Sequence, residues 1–214
     1  MNAIKINDAV VLDEKKEIDG LFHTISIQVQ NYPLEAHKYY VLNKPAGYVT
    51  AVSDHKFPTV CDLFSEKLWP IGRLDRSTEG LLILTDHGLL TFRLPLPCYG
   101  IEKVYRVKVN GKLDQQVIEQ FACGIEFIGG ILCAPAKLEI IAAQDDESEA
   151  LVTLTEGKYH QVKKMFLAVG LYVTYLQRIQ YGPIMLDHDL QIGQSRALTV
   201  NEVQLLWDCV QLDY

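Results

Sequence analysis

Residues 72–80, GRLDRSTEG, place a single aspartate, Asp75, between two arginines and have a glycine at each end. A cation within about 4–6 Å of an aspartate favours its carboxylate form. A side chain held in that form is a poor general acid, but it can serve as a nucleophile or as an electrostatic stabiliser. The segment is equally compatible with a capping turn that carries a surface ion pair. Both interpretations stay open on these residues alone.

The neighbouring segments predict the elements that would position Asp75. Residues 81–85 are a continuous apolar run, which predicts a strand buried on both faces, and residues 102–111 alternate as a half-buried strand does. Helical spacing over residues 113–124, 159–170 and 199–210 predicts three helices. Strands outnumber helices without regular alternation, so we expect an α+β fold on a mixed, mostly antiparallel sheet.

Composition restricts the classes of function. The 214-residue chain has a net charge of −7, but residues 151–180 carry +3 and residues 116–150 carry −6, so a polyanion can meet a locally cationic surface. The five cysteines and six histidines form no metal-ligand pattern, and no nucleotide-binding motif occurs, so we expect neither metal nor cofactor. No apolar run is long enough to span a bilayer and no secretory signal is evident, which favours a cytoplasmic protein without membrane contact.

Five segments occur in an order and spacing that resemble one enzyme family. They are LNKPAGYVT (42–50), GRLDRSTEGLLILTDHG (72–88), KVYRV (103–107), TEGKYHQVKKMF (155–166) and LQRIQYGPIML (176–186). In combination they resemble the RNA pseudouridine synthases, specifically the branch that modifies small-subunit ribosomal RNA. The Tyr159–His160 pair favours that branch over relatives that carry Asn-Arg at this place.

This resemblance implies the fold, the reaction and the partner. We expect a pseudouridine synthase catalytic domain at 34–214 and, at 1–33, a shortened S4-like strand unit with a linker. The family isomerises a specific uridine to pseudouridine by breaking the bond between ribose C1′ and uracil N1 and rejoining the base through C5. This rearrangement within one nucleotide needs no cofactor. The expected partner is small-subunit ribosomal RNA or an assembly intermediate, bound by a monomer.

The resemblance also implies roles for individual residues. Asp75 matches the catalytic aspartate, Tyr105 the tyrosine that stacks on uracil, Lys163 the cation that pairs with the aspartate, and Arg73 the arginine that places the flipped nucleotide. An everted base loses a few kcal/mol of stacking, and an aromatic platform returns about 1–3 kcal/mol. Further expected RNA contacts are Lys44, Lys103, Lys158, His160 and Lys164.

Three alternative functions stay open on the sequence. The first is a pseudouridine synthase that acts on large-subunit RNA, and the second is a non-catalytic RNA-binding or ribosome-assembly factor on the same fold. The third is a glycoside hydrolase, since the broken bond is glycosidic. Such an enzyme would need a second carboxylate about 5–9.5 Å from Asp75, and Glu79 is the candidate.

Overall fold

The computed structural model describes residues 4–13, 15–28, 30–127 and 130–212. Residues 1–3 of the predicted N-terminal unit and residues 213–214 of the predicted catalytic unit therefore lie outside the described residues. Within the described ranges, no helix has the length and apolar character needed to cross a membrane.

A small antiparallel sheet comes first in the chain. Its strands are β1 (Ile4–Ile6), β2 (Ala9–Val10), β3 (Ile25–Ile27) and β4 (Gln30–Tyr32). They pair in the order β2-β1-β3-β4. The strands are short and mostly exposed, so this sheet adds little to the core.

Residues 19–23 join the small sheet to the rest of the molecule. The buried carboxylate of Asp19 accepts a hydrogen bond from the Tyr39 hydroxyl at 2.5 Å and another from the His37 backbone N–H at 3.0 Å. The Phe22 ring meets the Trp207 ring edge-on at 5.1 Å between centroids. Part of the predicted 1–33 unit is thus packed against the larger body, and the division at residue 33 stays a prediction.

A nine-stranded mixed sheet forms the larger body. Its strands are β5 (Tyr39–Lys44), β6 (Trp69–Pro70), β7 (Glu79–Thr85), β8 (Lys103–Asn110), β11 (Lys137–Ala143), β12 (Glu147–Leu154), β13 (Val173–Tyr181), β14 (Ile184–Met185) and β15 (Ser195–Ala197). A separate hairpin pairs β9 (Glu126–Phe127) with β10 (Ile131–Leu132).

The main path of this sheet runs β11-β12-β8-β13-β7-β5-β15. The β7–β13 pair is parallel, and the other pairs along the path are antiparallel. The mixed, mostly antiparallel sheet expected from the sequence is therefore confirmed. The parallel pair brings the start of β7, just after Asp75, beside the middle of β13, at Gln177 and Arg178.

Helices cover both faces of the sheet. They are α1 (Gly88–Arg93), α2 (Gln115–Cys123), α3 (Gln161–Ala168) and α4 (Val200–Cys209). One core lies under α2 and α3, and the other lies under α1 and α4. Leu82 and Leu84 of β7 enter the first core, whereas Leu81 and Ile83 enter the second. Burial on both faces explains the continuous apolar run, and each such side chain contributes about 1.5–3 kcal/mol.

Two helices differ from the sequence expectation. The pattern 159–170 predicts a helix from its first residue, but α3 begins at Gln161 because His160 has a left-handed backbone with φ of 54°. Helix α1 was not predicted, since its six residues are too few to show a helical period. Its N-terminus is capped by the imidazole of His87, which accepts a hydrogen bond from the Leu90 N–H at 3.0 Å.

Candidate active site

The loop that carries Asp75 is fixed from beneath by the segment 44–50. The Lys44 ammonium donates hydrogen bonds to the backbone oxygens of Pro45, Arg76 and Thr78, at 2.9, 3.3 and 2.9 Å. The Gly47 N–H donates to the Arg76 oxygen at 2.8 Å. These contacts hold the loop on the C-terminal side of Asp75, at Arg76 and Thr78, so the Lys-Pro-x-Gly segment acts here as a backbone support.

Lys44 is fully buried, and this burial lowers its pKa to about 8. Its three carbonyl partners use the whole hydrogen-bonding capacity of an ammonium group. Lys44 therefore supports the loop backbone in this structure, and its contact with RNA stays a prediction. The motif alone could not distinguish an exposed lysine from a buried one.

Asp75 is brought together with two residues of the 155–166 motif. The Lys163 ammonium lies 2.9 Å from one carboxylate oxygen of Asp75 and also donates a hydrogen bond to the Ser77 hydroxyl at 2.9 Å. The imidazole Nε2 of His160 lies 3.6 Å from the other carboxylate oxygen. The Asp75 side chain is about one quarter exposed, at 24%. The carboxylate is thus held by a cation yet open to the cleft.

Tyr105 lies on β8, on the face that points into the cleft. Alternation along the strand buries Lys103, Tyr105 and Val107 on this face, as the sequence predicts. Tyr105 is paired across the sheet with Val152 on one side and Arg178 on the other. Side chains that are directly opposite share a face of the sheet, so Arg178 is a neighbour of the tyrosine.

The cleft has two lobes that meet at Asp75 and Tyr105. The first, here the Leu176 lobe, is also lined by three apolar side chains, Leu154, Val162 and Leu176, and by Lys163, the ion-pair partner of Asp75. The second, here the Arg178 lobe, is completed by Arg76, Lys103, Tyr159, Arg178 and Tyr181. Arg73 is exposed and lines both lobes.

The remaining predicted cations lie in different places. Lys158 lines both lobes and forms an ion pair with Glu156, whose carboxylate also accepts a hydrogen bond from the Gln161 amide at 2.6 Å. Lys164 lines neither lobe, and its ammonium lies 5.0 Å from the centre of the Tyr159 ring. Lys164 is therefore outside the cleft, because it lies one residue beyond Lys163 on α3.

Glu79 does not line either lobe, although it is only four residues from Asp75. It begins β7, and its carboxylate accepts a hydrogen bond from the Tyr175 hydroxyl at 3.0 Å. Burial, and then this hydrogen bond to Glu79, raises the pKa of Tyr175 to about 12. The proposed second carboxylate of a glycoside hydrolase is therefore engaged outside the cleft.

Sequence reasoning missed Arg178 and Tyr181. Both are buried on β13, and both line the Arg178 lobe. An arginine inside a strand of mainly apolar and amide residues was the available signal. It could not be interpreted without knowing that β13 pairs with β8, because that register places Arg178 opposite Tyr105.

Comparisons with known proteins agree with this fold. The family model of RNA pseudouridylate synthase matches residues 38–168. An uncharacterised RNA pseudouridine synthase of Bacillus subtilis, YtzG, is 35% identical over 209 residues, covering 95% of this chain and 87% of that protein. The ribosomal small subunit pseudouridine synthase A of Escherichia coli is 40% identical over 171 residues, which cover 78% of this chain and 72% of that protein.

Among solved structures, one described as a pseudouridylate synthase superposes with a TM-score of 0.74 at 34% identity, covering 96% of this chain and 89% of that one. The chain belongs to the RNA pseudouridylate synthase family. It is accordingly a pseudouridine synthase, an isomerase that replaces a C–N bond with a C–C bond within one nucleotide.

Proposed function

We propose that this protein converts a uridine of small-subunit ribosomal RNA to pseudouridine and that Asp75 carries the reaction. One observation supports the role of Asp75 most directly. Its carboxylate lies where the two lobes meet, 2.9 Å from the Lys163 ammonium, in a cleft that Tyr105 also lines. An ionised oxygen at this junction faces the sugar–base bond of a nucleotide whose base enters one lobe.

The reaction requires one bond to break and another to form. The C1′–N1 bond breaks, the uracil turns, and C1′ bonds to C5, so the C5 hydrogen leaves and N1 gains a proton. An ionised Asp75 can attack C1′, attack uracil C6, or take a proton from the ribose, and all three routes give the same product. Because the base must leave the RNA stack first, the protein has to supply a replacement surface.

The other residues receive supporting roles in this proposal. Tyr105 provides the stacking platform for the uracil, beside the apolar side chains of the Leu176 lobe. Lys163 orients the Asp75 carboxylate through their 2.9 Å contact. Arg73, Lys158 and His160 are placed at the cleft to contact the flipped nucleotide and its RNA backbone.

Relatives support the small subunit as the source of the substrate. Those of Escherichia coli and Vibrio cholerae, at 40% and 38% identity, are named for the small subunit. The Tyr159–His160 pair, by which the sequence favours that branch, lies at the cleft. We further propose that the enzyme works as a monomer in the cytoplasm, where it encounters this RNA.

The proposal is tested with RNA transcripts labelled with tritium at uracil C5. We expect the purified protein to release tritium from the small-subunit transcript, up to one equivalent, and none from the large-subunit transcript. Release from the large-subunit transcript alone would refute the substrate assignment. No release from either RNA, bare or in assembly intermediates, would refute the proposed activity. Loss of a single pseudouridine from small-subunit RNA in cells without this protein would identify the position.

A further inference from the structure

Two buried cations form the floor of the Arg178 lobe. Lys103 is 7% exposed and Arg178 is 1% exposed. The Lys103 ammonium donates to the Ile101 backbone oxygen at 2.8 Å, and Arg178 Nε donates to the Leu81 backbone oxygen at 2.8 Å. Among the described residues, neither side chain forms an ion pair with a carboxylate. Buried charges without a counter-ion are strongly unfavourable.

The two cations are close enough to influence each other. Burial, followed by the charge of Arg178, lowers the pKa of Lys103 to about 8. Both cations face the ring of Tyr181, at 5.1 Å for the Lys103 ammonium and 4.7 Å for the Arg178 guanidinium carbon. This ring compensates part of the charge.

Two hydrogen-bonding groups at or near the same ring have no partner among the described residues. The Tyr181 hydroxyl and one terminal nitrogen of Arg178, Nη2, are buried and have no hydrogen-bond partner among the described residues. Gly72 borders the lobe, and a Cβ built on it would lie 3.8 Å from the Tyr181 hydroxyl. The wall of the lobe therefore carries no side chain at Gly72, beside that hydroxyl.

We infer that the Arg178 lobe is a phosphate subsite, in which Lys103 and Arg178 receive a phosphodiester group that flanks the everted uridine. This inference rests on the proposed function. With the uracil in the Leu176 lobe and C1′ at Asp75, the backbone of the same nucleotide points toward the lobe that carries the cations. A phosphate supplies the missing negative charge, and its oxygens can accept hydrogen bonds from the Tyr181 hydroxyl and from Nη2 of Arg178. The edge of a neutral base supplies no charge.

Lys103→Met tests this inference, because methionine keeps most of the side-chain volume and removes the charge. We expect its affinity for the small-subunit transcript to fall about tenfold at low salt. The slope of log K against log salt concentration should become shallower by about 0.7. The matched control is Lys108→Met on the same strand, since Lys108 points to the opposite face and pairs with Glu147. This control should bind as the wild type does.

A second measurement assigns the contact to one phosphate. A methylphosphonate linkage removes one phosphate charge on either side of the modified uridine in a short RNA fragment. At one of the two positions we expect wild-type affinity to fall about tenfold and the affinity of Lys103→Met to fall less than twofold, because the partner charge is already absent. Lys103→Gln replaces the methionine variant if the latter does not fold.

Two results would overturn the inference: a wild-type affinity and salt slope in the folded Lys103 variant, or an equal loss from methylphosphonate in wild type and variant at both positions. These outcomes are distinct from failure of the proposed function. If the wild type releases tritium while the Lys103 variants bind unchanged, the phosphate subsite alone is wrong. If the wild type releases none from any RNA, the enzyme assignment fails first.

Discussion

The ammonium of Lys163 contacts two groups of the Asp75 loop, the carboxylate of Asp75 and the hydroxyl of Ser77, each at 2.9 Å. Lys163 comes from α3, on the other side of the cleft. The Asp75–Lys163 ion pair therefore depends both on the conformation of the Asp75 loop and on the position of α3. Because this cation touches the carboxylate itself, its loss should affect turnover more than RNA affinity.

Lys163→Met is expected to lower the single-turnover rate about 10–100-fold, since a hydrogen bond to a charged group contributes about 1.5–3 kcal/mol. The affinity for the transcript should change less than threefold. Lys163→Arg, which keeps the positive charge, should recover part of the rate. A Lys163→Met protein with wild-type turnover would show that the ion pair does not support the reaction.

Tyr105 supports a second prediction at this scale. Tyr105→Phe keeps an aromatic face and should retain RNA binding, whereas Tyr105→Leu loses base stacking of about 1–3 kcal/mol. The leucine variant should lose turnover while its thermal unfolding stays cooperative. Tritium release, measured alongside circular dichroism melting, checks both points. Equal rates in the leucine variant and the wild type would refute the stacking role.

The site was only partly predictable at the residue scale. Asp75, Tyr105 and Lys163 each stand in a motif, and the structure brings all three to one cleft. The burial of Lys44 and the position of Arg178 in the cleft were not predictable, for the same physical reason. Their environments depend on burial and on cross-strand pairing, which are tertiary properties that residue spacing does not encode.

At the scale of elements, the parallel pair β7–β13 depends on Gly80. Its φ is +99°, and a Cβ there would lie 2.2 Å from the Arg178 backbone oxygen and 2.8 Å from the Arg178 backbone nitrogen. The two strands can approach this closely only because Gly80 lacks a side chain. The same approach positions Arg178 beneath the Asp75 loop.

Gly80→Ala is therefore expected to lower the free energy of unfolding by more than about 3 kcal/mol, through overpacking and an unfavourable backbone conformation. Urea denaturation measures the change. Gly88→Ala is the control, because no atom lies within 4 Å of a Cβ at Gly88. This control should stay within about 1 kcal/mol of the wild type. Similar unfolding midpoints for both variants would contradict the proposed role of Gly80.

Helix α4 has a pH-dependent anchor at its first turn. Arg196 pairs with Glu202 at 2.7 Å, and Thr199 donates its backbone N–H to Glu202 at 2.8 Å. The Arg196 hydrogen bonds, and then those from Thr199, lower the pKa of Glu202 to about 2, from 4.5. A lowered carboxyl pKa stabilises the folded state above pH 4.5, and this stabilisation is lost as the pH falls toward 2.

Glu202→Gln should thus flatten the loss of stability between pH 4.5 and 2, where the wild type loses up to about 3 kcal/mol from this group. Denaturation curves at several pH values within that window test it. Glu139→Gln is the matched control, since its pair with Lys137 is largely exposed and screened by solvent. Equal pH slopes for Glu202→Gln and the wild type would contradict the assignment.

Element prediction succeeded where the pattern was long and failed where pairing was non-local. The alternation of β8 and the apolar run of β7 identified both strands correctly. The parallel contact between β7 and β13 joins segments far apart in the chain, and neither strand contains a signal for it. The left-handed residue His160, which delays the start of α3, was equally invisible in the periodicity.

Charge is separated across the whole molecule, although the chain is acidic overall. None of the acidic residues of the described part of 116–150 lines either lobe of the cleft. The lobes instead combine Arg73, Arg76, Lys103, Lys158, Lys163 and Arg178 with the Asp75 carboxylate and the paired Glu156. A net charge of −7 is therefore compatible with binding a polyanion at this face.

The central claim is that the Asp75 carboxylate performs the isomerisation. Its most direct test is single-turnover tritium release from the small-subunit transcript by the wild type, Asp75→Asn and Asp189→Asn, a control at a fully exposed aspartate outside the cleft. We predict no release above background by Asp75→Asn, with RNA affinity and stability retained, and wild-type release by Asp189→Asn. Release by Asp75→Asn at the wild-type rate would contradict the claim.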